Sequence, residues 1–317
     1  MRKSFKFDYY LKWMGTSLEE LEEKGDAYVI ERIAEQIRDS KSIDQVVLLA
    51  MDGFIGSDGK LDQERTQIYV PNEYLAEHAE KYDEILWGAS INPKRSDALE
   101  RLRWSEAHGA VLVKWLPPIM GIDPSDKALR PFYEELIRLD LPLLVHTGKE
   151  HAFAHADHKL ADPARLEFPL ELGVTVIAAH AATKGSSEGE ENFERLMRLM
   201  AKYPKLYADI SSLTQINKWM HLEKVMARPE TQGRLAYGSD WPLQFFPVVS
   251  SWFYATEIGA GRAMEIDAIE NPWDRDIALK QALGVSDGIF NRSRELLGKR
   301  VDSLPSVSVS DTEMNDR

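Results

Sequence analysis

LPLLVHTG, residues 141–148, is an apolar run that stops at a histidine, His146, followed by a turn-forming glycine. Two further stretches follow the same pattern: VTVIAAHAA, residues 174–182, reaches His180, and RLAYGSDWP, residues 234–242, reaches Asp240. Each reads as a buried strand whose C-terminal end carries an imidazole or a carboxylate, the donors that suit zinc, manganese or iron. A barrel of parallel strands is the architecture that gathers strand-end residues from distant parts of a chain into one pocket. A single histidine at a strand end is ordinarily hydrogen-bonded structure. Three ligand-type residues at the same end of successive βα units point instead to a metal-dependent hydrolase scaffold.

Working outward, the same alternation of apolar run, turn and amphipathic stretch recurs along the chain. Strands are predicted at 45–51, 84–91, 110–115, 141–146, 174–180, 205–210 and 234–239. These runs are apolar on both faces, as parallel strands covered by helices must be. Between them, Phe193, Leu196, Met197 and Met200 have the spacing of one buried helix face. Asp123-Pro124 predicts a helix start for the stretch running to Leu139, and Asp162-Pro163 predicts another, closed by Gly173. Before the first strand, Ser17 to Glu20 has the form of a capping box, and Ile30, Ile33, Ala34 and Ile37 share a helical face. Short connections between alternating elements imply a parallel sheet, open or closed into a barrel. No Gly-x-Gly-x-x-Gly follows the first strand, so a dinucleotide site is not indicated.

Composition narrows the class. The chain has 317 residues, 44% of them hydrophobic, enough for one large α/β unit. With no cysteine, disulfides and thiolate metal sites are excluded and a reducing compartment is expected. The 52 acidic against 39 basic residues argue against a nucleic-acid or anionic-membrane partner. No run of about 18 apolar residues is present, and no apolar stretch follows the basic start, so a cytoplasmic protein is expected. The barrel is expected over residues 1–300. Residues 301–317, rich in Ser and Asp without periodicity, read as a disordered tail.

VHTG, DPARLEFPLELGVTVIAAHAATKG, LYADIS and YGSDWP together resemble the amidohydrolase superfamily in its amidohydrolase-related branch, over roughly residues 45–300. The resemblance implies a TIM-type (β/α)8 barrel, one or two divalent ions with zinc first among them, and hydrolysis of an amide, ester or lactone in a small molecule. Some relatives decarboxylate instead. By the same resemblance His146 is the fifth-strand ligand, and His180 a sixth-strand ligand or a residue polarising substrate and water. Asp240 binds metal and takes the proton of bound water. Lys114 ends the fourth strand, where some members carry a carbamylated lysine; pairing with Asp240 or binding a substrate carboxylate are the other roles open to it. The first strand of the family ends in His-x-His, and no such pair stands here. The chain begins where the segment after that strand is expected, so the barrel is expected to lack its first strand. That leaves exposed strand edges and weak metal binding as expectations, and a non-catalytic remnant as an alternative to an enzyme.

Around these positions Trp115, Trp241 and Tyr237 flank the strand ends, where an aromatic pocket and core packing are both open to them; Trp115 and Trp241 are the candidate substrate contacts. His151, His155 and His158 have the i, i+4, i+7 spacing of one helical face in the loop after the fifth strand, where His151 is the candidate substrate contact. The remaining partner expected is the small-molecule substrate, and a homo-oligomer is compatible with the sequence.

Overall fold

The computed structural model describes residues 11–298, apart from Trp13, Glu150, His151, Ala152, Ala154 and Phe246. The expected tail at 301–317 and the His151 expectation therefore lie outside the described residues. All seven expected strands form: β1 (Val46–Leu49), β2 (Ile85–Gly88), β3 (Val113–Trp115), β4 (Leu143–His146), β5 (Val176–Ala179), β6 (Leu206–Asp209) and β7 (Leu235–Ala236). β1 pairs with β2, and β3 to β7 form a five-stranded sheet in sequential order, all parallel. A parallel bridge between Ala89 and Val113 joins the two sheets. Helices connect the strands and cover their outer side, giving an α/β barrel of seven strands.

Strand parity separates two apolar layers. Leu143, Val145, Val176, Ala178, Leu206 and Ala208 face outward into the main core beneath the helices. Facing inward, Leu112 packs with Val111 and Leu297, and Val47, Leu49, Leu86 and Leu144 lean on them half-buried. Gly88 sits inside this layer. A Cβ there would lie 2.7 Å from Leu112 Cδ1 and 2.8 Å from Leu49 Cδ2, so a side chain could not be added without moving both.

Among helices, α1 (Ala27–Arg38) buries Ile30, Ile33, Ala34 and Ile37 as expected, and the capping box of Ser17 and Glu20 forms on the short helix before it. In α2 (Arg130–Arg138) the expected start at Asp123 does not hold. Asp123 instead accepts from Ser125 N at 2.9 Å and pairs with Arg165, and a 3-10 turn at Lys127–Leu129 intervenes before the helix. Proline after aspartate suits a turn as well as a helix start, which is why the dipeptide misleads. Asp162 does cap the turn at Pro163–Leu166, and Gly173 ends the following helix at φ 97°. α3 (Asn192–Lys202) buries Phe193, Leu196, Met197 and Met200.

The seam between β7 and β1 carries no strand pairing among the described residues. Two C-terminal helices, α4 (Pro272–Ala282) and α5 (Asp287–Leu297), attend to it. Tyr237 N donates to Ile289 O at 3.1 Å, and Ser293 Oγ donates to Tyr237 O at 3.2 Å, so α5 occupies backbone groups just past β7 that the expected first strand would have paired. This corrects the expectation of a bare edge there. Leu297, at the other end of α5, reaches the inner apolar layer. α4 is tied to α1 through Asn271 Nδ2 to Gln36 O at 2.7 Å, and to the turn after α1 through Ser40 Oγ to Asp274 at 2.6 Å.

Within α4, Lys280 and Asp276 form an ion pair with both side chains fully buried, and Tyr237 Oη donates to Asp276 at 2.7 Å. Burial and the Asp276 charge push the Tyr237 phenol well above its ordinary value. Removing one partner of such a pair strands a buried charge, so Lys280→Met is expected to cost about 3–5 kcal/mol in chemical denaturation. Lys280→Met with Asp276→Leu is expected to recover most of that loss; equal instability of single and double variants would show that the pair is incidental.

Glu135 on α2 is nearly buried and accepts from Arg103 at 2.5 Å and from Arg138 at 2.8 and 2.9 Å. Arg138 first, and Arg103 with it, hold its carboxyl down at about 2, against an ordinary 4.5. A depressed carboxylate contributes stability that is present above pH 4.5 and is lost as pH falls through about 2. Both guanidinium groups are more than half exposed, so screening limits the contribution to about 1 kcal/mol. Glu135→Gln is expected to unfold at lower urea than wild type at pH 7 and to converge with it near pH 2.

Candidate functional site

The polar strand ends meet on one side of the barrel. His146 closes β4 and points inward, 7% exposed, from the same face as Leu144. Lys114 pairs with Leu144 across β3 and β4 and is likewise 7% exposed. His180 follows β5, its ring centroid 5.2 Å from that of His146 and its plane turned 67°. Beyond β7, Asp240 lies near enough for its charge to act on His180. The four residues expected to form the site are thus brought to one end of the barrel.

What organises them is Asp209, at the end of β6. Its Oδ1 accepts from His180 N at 2.9 Å, from Ser211 N at 3.0 Å and from Ser211 Oγ. With its own O–H donated to Asp209, the Ser211 hydroxyl accepts at 2.8 Å from His180 Nδ1, with Ser212 Oγ at 3.2 Å and Ser211 O at 3.3 Å also close. Every neighbour of Nδ1 can act as an acceptor. The network therefore assigns the proton to Nδ1 and leaves Nε2 as the basic nitrogen. Gly238 makes this approach possible: a Cβ there would stand 3.0 Å from Ser211 Cβ and 3.6 Å from Asp209 Cγ.

Burial first, then the charges of His180, Lys114 and Lys218, hold His146 well below the usual imidazole range, opposed only by a hydrogen bond with the Gly148 backbone. Burial also lowers His180; Asp240 and Asp209 oppose it, while Lys218 and Lys114 reinforce it. Both imidazoles are accordingly neutral near pH 7. Lys218 Nζ donates to Ser212 Oγ, the hydroxyl beside His180. Backbone strain gathers at the same end. Of eight non-glycine residues with positive φ among the described residues, five are here: His180 at 58°, Ala181 at 46°, Ala182 at 49°, Ser212 at 58° and Asp240 at 59°. Such conformations cost free energy and persist where the surroundings over-determine them.

Several expected contacts fall elsewhere. Trp115 has no exposed surface; it packs on Phe132 and Tyr133 and donates to Ile91 O, so it belongs to the outer core and not to a substrate wall. Tyr237 also faces outward, to Asp276. Its parity with the inward Gly238 explains why. His155 and His158 are exposed in their loop. Trp241 stays beside the site, half-buried, with its indole nitrogen buried and without a hydrogen-bond partner among the described residues. Asp209, Ser211, Ser212 and Lys218 were not anticipated, although ADISS places an acid at the end of a predicted strand as VHTG places a histidine.

Donor number and local field decide whether these residues suit the divalent ion implied by the resemblance. Among the described residues no group of three or more His, Asp or Glu side chains is disposed to hold a metal ion. Lys114 and Lys218 direct positive charge at both imidazoles, and a dication there would feel it twice over. His146, His180, Asp240 and Lys114, the expected zinc ligands, share the strand ends without forming such a group.

A cleft of about 610 Å³ opens on the loop after β1, lined by Phe54, Lys60, Arg65 and Lys94 among others. The two histidines are not among its walls. No described helix is long and apolar enough to cross a membrane.

A family model described as amidohydrolase matches residues 34–259. Among solved structures, an uncharacterized TIM-barrel protein of Bordetella bronchiseptica is similar at a TM-score of 0.57 and 14% identity, covering 93% of this chain and 90% of that one. A protein of Acinetobacter baumannii assigned as 2-pyrone-4,6-dicarboxylic acid hydrolase, solved with citric acid bound, follows at 0.53 and 15%, over 85% and 88%. A Pseudomonas putida protein with the same assignment reaches 0.50 and 16%, over 85% and 87%. At these identities the likeness is one of fold. No curated protein matches the chain in sequence.

Asp209→Ala removes the acceptor of two backbone N–H groups and one hydroxyl. Leaving a buried donor unsatisfied costs about 1–3 kcal/mol, so a loss of at least that size is expected in urea denaturation. Stability within about 0.5 kcal/mol of wild type would mean that Asp209 does not hold the strand ends together.

Proposed function

This chain belongs to the amidohydrolase family, and on that premise we propose that it is an enzyme hydrolysing an amide, ester or lactone bond of a small molecule over the ends of β4, β5 and β7. The observation that carries this reading is the His180 arrangement. Its Nδ1 is held by Ser211 against Asp209, so a buried neutral imidazole has Nε2 as its base. In the proposed reaction His180 takes a proton from water as the oxygen attacks the carbonyl, and returns it to the leaving group. The imidazolium formed between these steps is favoured by Asp240 and Asp209, whose charges both act on His180. Lys114 stabilises the oxyanion. Trp241 would border the bound molecule. The barrel unit is taken as residues 1–300.

The family is metal-dependent, yet no step is assigned to a metal, because the donors do not suit one. Decarboxylation is the second reading, favoured by the two lysines directed at the histidine pair, since they would hold a substrate carboxylate. A folded protein without turnover would leave the non-catalytic remnant.

The test is turnover of chromogenic esters, anilides and lactones, with released carbon dioxide followed in parallel on aryl carboxylates. His180→Ala and Asp240→Asn are each expected to lower hydrolysis by about 10²-fold or more with circular dichroism unchanged. Carbon dioxide release without hydrolysis would favour the second reading. Unchanged hydrolysis in His180→Ala would remove the proposed base. Activity abolished by chelator and restored by zinc would return the metal to the mechanism.

A further inference from the structure

The cleft of about 610 Å³ on the loop after β1 stands apart from the strand-end site, since neither histidine lines it. Its walls are folded before any ligand arrives. Residues 54–62 double back as a hairpin: Ile55 and Leu61 bridge antiparallel, Gly56 N donates to Lys60 O at 2.9 Å, and Asp62 N donates to Phe54 O at 2.9 Å. Gly59 turns the chain at φ 76°, and its carbonyl accepts from Ser96 N at 3.2 Å, which ties the hairpin to the loop after β2. At the base, Phe54 N donates to Thr66 Oγ1 at 3.1 Å and Asn92 Nδ2 donates to Gly53 O at 3.0 Å.

Lys60, Arg65 and Lys94 bring three cations to this cleft. The Arg65 guanidinium lies over the Phe54 ring, 3.4 Å from its centroid, and the ring in turn rests against Gly121, where a Cβ would collide with it. Stacking uses the flat face of a guanidinium and leaves its N–H edge for an acceptor. Among the described residues no carboxylate or carbonyl takes that edge. Lys94 Nζ donates to Gly121 O at 2.5 Å, which occupies one of its three donors. The Lys60 ammonium has no partner among the described residues. Asp58 and Asp62 also line the cleft, but they serve as turn formers: Asp58 Oδ1 accepts from Lys60 N at 3.1 Å, and Asp62 Oδ1 from Glu64 N and Arg65 N, each at 3.1 Å. Neither pairs with any of the three cations among the described residues. In a chain of net charge −13, this cleft is a local reversal of sign.

We propose that this cleft is a second ligand site, separate from the strand-end pocket, and that it takes the phosphate monoester of a small organic molecule. The edge of Arg65, the remaining donors of Lys94 and the Lys60 ammonium together suit the three terminal oxygens and double charge of a monoester, where a carboxylate offers two oxygens and one charge. The cleft is larger than a phosphate group needs and falls within the range of about 300–1,000 Å³ usual for small-molecule pockets. Phe54, Ile55 and Leu61 give the organic part an apolar wall. The acidic balance of the chain opposes an anionic lipid surface, so the ligand is a soluble one. Nothing in this site depends on whether the strand ends hydrolyse or decarboxylate.

Isothermal titration of the full chain in mildly alkaline buffer at low ionic strength tests this with phenylphosphonate, a monoester analogue that hydrolysis does not consume, against benzoate and benzyl alcohol. Phenylphosphonate is expected to bind one to one, at least about tenfold tighter than either. Arg65→Met should weaken it about tenfold or more, and Arg65→Lys should stay weaker than wild type because an ammonium lacks the planar fork. Lys60→Met should weaken it less, as the loss of one exposed charge. Arg65 and Lys60 are both exposed, so these variants are expected to fold. His180→Ala should bind phenylphosphonate as wild type does. Benzoate binding as tightly as phenylphosphonate, or wild-type affinity in Arg65→Met, overturns the proposal. So does loss of binding in His180→Ala, which would seat the ligand in the strand-end pocket. Sedimentation of the chain with phosphatidylcholine vesicles carrying phosphatidic acid would make the monoester a lipid headgroup and overturn the soluble ligand.

Discussion

One carboxylate oxygen, Oδ1 of Asp209, fixes the geometry on which the site depends. It accepts a backbone N–H from the residue after β5, a second from its own segment after β6, and the Ser211 hydroxyl. Charge-assisted bonds of this kind are about twice as strong as neutral ones, and burial strengthens them. Three in one place can offset the unfavourable φ of His180 and Ser212. The same oxygen sets a proton on His180 through Ser211. It is also tightly packed against Gly238, where an added Cβ would stand 3.0 Å from Ser211 Cβ and press on it. Strand register, tautomer and backbone strain thus answer to one acceptor.

Much of this was legible in the sequence because its physics is local. Seven apolar runs became seven parallel strands, and the i, i+3, i+4, i+7 face at 193–200 became the buried side of α3. Side-chain parity was not legible. Parallel strands are apolar on both faces, so nothing in AVLVKW says which of Lys114 and Trp115 points into the barrel. Trp115 went to the helices and Lys114 to the site, and the same parity sends Tyr237 outward and Gly238 inward. Asp209 was hidden for another reason. An aspartate at a strand end also serves as a turn former, and only the spatial approach of β5 shows what it holds. Lys218 could not be found at all, since its partner Ser212 is itself identified only through His180.

Closure of the barrel is the second constraint. An unpaired strand edge leaves backbone donors and acceptors exposed, and proteins cover such edges with helices. Here α5 meets Tyr237 through both its N–H and its carbonyl, while Leu297 packs among inner apolar residues. The cover is incomplete as a core. Val47, Leu49, Leu86 and Leu144 stay half-buried where a closed barrel would fill its interior in layers. The buried Lys280–Asp276 pair answers a related need. It sets Tyr237 from outside while α5 holds it from the edge, so the strand preceding Asp240 is clamped on two sides.

The distribution of cost then separates scaffold from site. At the apolar end of the barrel interior, strain is absent from the strands and side chains pack against one another. At the polar end stand five left-handed residues, two desolvated imidazoles, buried lysine charge and the unpaired polar atoms of Trp241, Thr214 and Gln244. Several of these lower stability: the lysines oppose protonation of both histidines, and the Gln244 amide has no hydrogen bond among the described residues. A fold selected for stability alone would replace such groups with apolar side chains. Their concentration where three strand ends meet marks that end as the site and the apolar end as the scaffold.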